Sequence, residues 1–139
     1  MNYTRIVFAA VGGFFAYFLV GGLAFAALPW LKTEFAKYPA VYRSPEGQMS
    51  FMPLGMAAMF VAMLALATIY AMLYRGGSGL AAGLPFGALI GVFSIGSFVM
   101  HNYVNLNIGL KLTLQQSVAY FVEWIVVGIA IGLIYRPSH

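Results

Sequence analysis

Apolar residues fill this chain in four long runs, Ile6–Leu28, Met49–Tyr74, Leu80 to about Met100, and Ser117–Tyr135, with the basic residues at their edges and Glu123 the one charge inside a run. A bilayer-crossing helix needs about 20 apolar residues, and each run supplies that length. Leu, Ala, Met and Gly dominate the runs, and no run alternates with the period of a barrel strand, so helices are predicted. Extended to their polar flanks, the spans fall at about 6–28, 49–74, 79–106 and 113–135. The predicted fold is an all-α, four-transmembrane-helix antiparallel bundle forming one integral membrane domain over residues 1–139.

The connections refine this picture. Between Pro29 and Gln48, Leu31, Phe35, Tyr38 and Tyr42 recur at helical spacing, which predicts a short interfacial helix of one or two turns before Pro39. Their aromatic rings read first as anchors at the membrane boundary. Arg75-Gly-Gly-Ser-Gly79 predicts a tight turn joining the second and third spans as an antiparallel hairpin. Thr113-Leu-Gln-Gln116 has the form of a capping box and predicts that the fourth helix starts at Thr113. An A-x-A pattern at Ala24-Phe25-Ala26 raises the question of a signal peptide. The apolar run that contains it, Ile6–Leu28, is 23 residues and exceeds the ~7–15 residues of such a segment, so a retained first helix is expected.

Composition sharpens the class. With 63% hydrophobic and 7% charged residues, the chain cannot cover itself in water as a soluble domain with roughly 25% charge does. The net charge of +4 is too dispersed for a nucleic-acid surface, and the absence of Cys excludes thiolate chemistry and Cys-ligated metals. Arg5, Arg75 and Arg136 fall at one end of the spans, and Lys32, Lys37, Arg43 and Lys111 at the other. Both termini are expected on the cytoplasmic side, because those three arginines sit flush against helix ends.

Small residues mark the packing faces. Gly79, Gly83, Gly87 and Gly91 recur every four residues in the third span, and Gly128 and Gly132 repeat the device in the fourth. Such stripes let helix backbones approach, within one chain or between chains, and a homo-oligomer or a membrane-complex partner is expected. In the first span, Ala9, Gly13, Gly21 and Ala24 share about a third of the circumference. The second span carries Met49, Met52, Met56, Met59 and Met63, adaptable filler for a helix face. That stripe, with the glycine helix, resembles the copper-uptake transporters, which implies a remote thioether path for Cu(I). The chain departs from that family in having four spans and no Met- or His-rich segment outside them.

The candidate chemistry lies on the last two spans. In an unbroken helix, Ser94, Ser97, His101 and Asn105 share the glycine-lined side of the third span. Glu123 is the sole acid of the fourth, with Tyr120 and Gln116 one and two turns before it. A turn centred near Lys111 would set Gln116 beside Asn105, and Tyr120 and Glu123 beside His101. Ser97, His101, Asn105, Gln116, Tyr120 and Glu123 are therefore the expected ligand-binding residues, for a polar solute or proton in a channel- or transporter-like protein. The same groups serve equally as interhelical glue in a non-catalytic accessory or assembly subunit. A lipid- or quinone-modifying enzyme has no supporting motif, no metal site is evident, and no cofactor is identified. The second histidine, His139, lies beyond the last apolar run.

His101-Asn-Tyr-Val-Asn-Leu-Asn107 and Trp124-x3-Gly128-x3-Gly132, with four spans and an aromatic first loop, resemble small bacterial four-helix membrane proteins of unknown function. That resemblance implies a bacterial inner membrane and supplies no activity.

Overall fold

The computed structural model describes residues 1–136, so His139 lies outside the described residues. The chain folds into α1 (Tyr3–Ala27), α2 (Pro29–Phe35), α3 (Pro45–Leu73), α4 (Gly79–Ser94), α5 (Met100–Asn105) and α6 (Leu110–Ile134). A π-helical turn, Ile95–Val99, joins α4 to α5 without a break, and no strand occurs among the described residues. Four segments are long and apolar enough to cross a membrane: Tyr3–Ala27, Pro45–Leu73, Gly79–Asn105 and Leu110–Ile134. The protein is an all-α, four-span, multi-pass membrane protein.

Local chemistry sets most helix starts. The Asn2 side chain accepts from the Arg5 amide at 3.0 Å and opens α1. Ser44 accepts from the Gly47 amide at 3.2 Å, and Pro45 follows with a preset φ, so α3 begins four residues before Met49. The start of α6 differs from the expected capping box. It begins at Leu110, and the Thr113 hydroxyl donates back to the Gly109 carbonyl at 3.1 Å. Gly109 has no capping side chain; its amide instead donates to the Tyr38 hydroxyl at 2.9 Å, a tertiary contact invisible to a local motif. Between α3 and α4 the chain reverses through Gly76 and Gly77, both at φ +91°, a conformation other residues rarely adopt.

The helices lie in the order α3, α1, α6, α4, with α6 packed along α4 on one side and α1 on the other. The hairpin of α3 and α4 is thus antiparallel but not closely paired. The two helices meet near their turn, where the Tyr70 and Phe86 rings lie 5.2 Å apart, and each packs chiefly elsewhere. The glycine stripe explains the choice. A Cβ at Gly79, Gly83 or Gly87 would fall onto the carbonyl of Gly132, Gly128 or Trp124, and one at Gly91 would lie 2.9 Å from the Phe121 ring. Backbone meets backbone along this seam, which no methionine-rich face of α3 can match.

The half of the bundle nearer the termini holds the hydrophobic core. Gly13 sits where α1, α3 and α6 converge; an added Cβ would meet Met63 Sδ at 3.3 Å and Ile131 Cγ1 at 3.2 Å. Ala9, Ala10, Met63 and Ile131 there are fully buried. At the opposite end, α2 clamps the first loop to α6. Its Leu31 and Glu34 are buried, and Glu34 Oε2 accepts from Lys37 Nζ at 2.8 Å and faces Lys111 Nζ at 3.4 Å. The hydrogen bond from Lys37, then Lys111, holds the Glu34 carboxyl below the ordinary carboxylate range against the opposing effect of desolvation.

Two outcomes follow. Gly87→Val will cost roughly 1–3 kcal/mol by overpacking the seam, whereas Gly22→Ala, whose Cβ would enter open space, will be neutral or slightly stabilising; reversible unfolding in mixed micelles, followed by circular dichroism, distinguishes them. A carboxyl with a lowered folded pKa binds fewer protons when folded, so the Glu34 clamp contributes fully above its unfolded value of about 4.3 and fades as pH falls through the lowered one. Hydrogen exchange in α2 will accelerate across that acidic window, and Glu34→Gln will remove the pH dependence.

Candidate functional site

Because α4 occupies one face of α6, the polar residues of α6 look the other way, toward α1 and the first loop. Gln116 is buried, and its Nε2 donates to the Tyr42 hydroxyl at 3.3 Å, while its Oε1 is buried without a hydrogen-bond partner. One turn deeper, Tyr120 is half-buried, with its ring edge-on to Phe98 at 5.7 Å and its hydroxyl close to that of Tyr17 on α1. Below it lies Glu123, 7% exposed. Glu123 is 13 residues from Leu110, about 20 Å along the helix axis, which sets it near mid-membrane.

Gly21 makes room for that carboxyl. A Cβ on Gly21 would stand 2.8 Å from Glu123 Oε1, so any side chain there competes with the acid for space. Tyr17, one turn before Gly21, packs its ring against Trp124 at 5.4 Å. Among the described residues no cation pairs with Glu123; the two ion pairs both belong to Glu34. The result is a line of hydrogen-bonding side chains, Tyr42, Gln116, Tyr120, Tyr17 and Glu123, that enters from the loop end and stops at the apolar core.

The other half of the expected site is elsewhere. His101 and Asn105 are exposed, and the Asn105 amide donates to the His101 carbonyl of its own helix at 2.8 Å. Ser97 is also exposed, its hydroxyl donating to the Phe93 carbonyl at 2.7 Å. The structure therefore does not bring His101 to Glu123, nor Asn105 to Gln116.

The π turn supplies the reason. Its wide ring, closed by the Met100 amide on the Ile95 carbonyl, takes in one extra residue. Every later position is set back by about 100° relative to an unbroken helix. Val99, which a regular helix would turn away, is thereby rotated onto the packing face and is 0% exposed. His101 and Asn105 are rotated off it by the same step.

The methionine stripe divides between two environments. Met63 belongs to the core, whereas Met52, Met56 and Met59 line a groove of about 380 Å³ between α1 and α3, together with Tyr17 and Arg43. No group of three or more His, Cys, Asp or Glu side chains is placed to hold a metal among the described residues.

Sequence reasoning missed Tyr17, Gly21 and Tyr42 as members of the polar line. Tyr42 read as a boundary anchor and Gly21 as a packing residue. The available signal was the small face of α1: a glycine at the depth of the only acid of α6 leaves space for one carboxyl. No protein-family model, no curated protein sequence and no solved structure matches this chain.

Proposed function

We propose that this is a small transport-type membrane protein that binds a proton, or a polar solute carrying one, at Glu123, reached from the face that bears the first loop. The observation that carries this reading is the buried carboxyl of Glu123, set against Gly21 near mid-membrane with no partner charge among the described residues. An ionisable group is costly in hydrocarbon and is retained where it works. The side chains leading to it suit this role, since tyrosine hydroxyls and the glutamine amide each both donate and accept hydrogen bonds. Gln116 Oε1, buried and unpartnered, adds an acceptor on the same line. His101 and Asn105 have no part in it, because they face away.

In proteoliposomes loaded with a pH-sensitive dye, the wild-type protein will dissipate an imposed pH gradient faster than empty vesicles. Glu123→Gln will remove that protein-dependent component without lowering the melting temperature, and His101→Ala will leave it unchanged. Wild-type vesicles as tight as empty ones, with Glu123→Gln disturbing only association with other chains, would instead support an accessory or assembly subunit whose polar side chains hold helices together.

A further inference from the structure

The groove between α1 and α3 is separate from the polar line, although Tyr17 forms part of its deep wall. Its mouth is made by Arg43 and Gln48, beside the first turn of α3, where a membrane protein meets the headgroup layer. The Gln48 amide donates to the Arg43 carbonyl at 3.0 Å and fixes the loop. The Arg43 guanidinium lies over the Phe51 ring at 3.9 Å and has no carboxylate partner among the described residues. Below the mouth the lining becomes apolar, and Met59 lies 14 residues beyond Pro45, about 21 Å down α3. That depth spans more than one leaflet of a hydrocarbon core about 30 Å thick. The volume of about 380 Å³ is within the range of small-ligand sites.

We propose that this groove is a binding site for one anionic phospholipid, with its phosphate at Arg43 and an acyl chain along Met52, Met56 and Met59. The charge at the mouth selects the occupant. The Arg43 guanidinium, placed over the Phe51 ring and paired with no carboxylate among the described residues, is available to a phosphate, which a guanidinium can meet with two parallel hydrogen bonds. Methionine is suited to the wall below, since its flexible thioether follows an irregular chain. Gly55 opens the notch between Met52 and Met56; a Cβ there would meet nothing within 4 Å, so the space belongs to no part of the protein.

Trp124 packs against Tyr17 behind the groove and serves as the reporter. The chain has two tryptophans, so Trp30→Phe leaves Trp124 alone. In this background, reconstituted with lipids brominated on the acyl chain, phosphatidylglycerol will quench Trp124 at about fivefold lower mole fraction than phosphatidylcholine, the factor expected of one basic residue near anionic lipid. Arg43→Gln will abolish that preference. Gly55→Leu, whose Cβ would meet nothing within 4 Å, whose longer side chain occupies the notch and which improves helix propensity, will reduce quenching by both lipids. Excess inorganic phosphate will leave the quenching unchanged. Equal quenching by both lipids in the wild-type groove, an unaltered preference in Arg43→Gln, unaltered quenching in Gly55→Leu, or full displacement by phosphate would each overturn the assignment. None of these readings depends on proton flux through Glu123.

Discussion

Helices in hydrocarbon gain nothing from burying oil against oil, so what orders them is how closely their backbones can approach and where their polar groups can go. The seam of α4 on α6 settles both. With Gly79, Gly83 and Gly87 lying against the carbonyls of Gly132, Gly128 and Trp124, the two helices are in contact at the backbone. Beside Gly128 and Gly132 that side of α6 has no room for long side chains, and Phe121 fits only where it meets Gly91. Gln116, Tyr120 and Glu123 are left to α1 and the first loop, and the polar line follows from a steric choice made on the opposite face.

The π turn is the second determinant. It admits one residue more than a regular helix allows, and the chain accepts this because Val99 is brought into the core in exchange. The polar groups displaced by the rotation do not need partners on another helix. Ser97 and Asn105 donate to carbonyls one turn back in their own helix, the usual recourse of short polar side chains in helices.

The two ends of the bundle are held by different contacts. Toward the termini, Gly13, Ala9, Ala10 and Met63 close an apolar core, with the Arg5 side chain joined to the Arg136 carbonyl at its end. Toward the first loop, α1 and α3 leave a groove, and the ends are held by polar contacts: Tyr38 to Gly109, Tyr42 to Gln116, and Glu34 to two lysines. One loop therefore caps α6, shields its glutamine and frames the groove.

The four spans, the all-helical class, the short helix after Pro29 and the glycine turn at Gly76-Gly77 were all legible in the chain, because each depends on local run length, period or backbone freedom. The burial of Glu123 was legible too, as that of a lone acid in an apolar run. Its surroundings were not. Pairing it with His101 assumed an unbroken helical period across Ile95–Val99, and one added residue there turns a whole face through about 100°. The start of α6 and the partner of Gln116 depended on tyrosines more than seventy positions away, Tyr38 and Tyr42. Sequence alone determined which segments enter the membrane, since transfer into hydrocarbon is a property of the segment. Tertiary structure alone decided which faces meet, since that depends on the shape of a neighbour the segment does not encode.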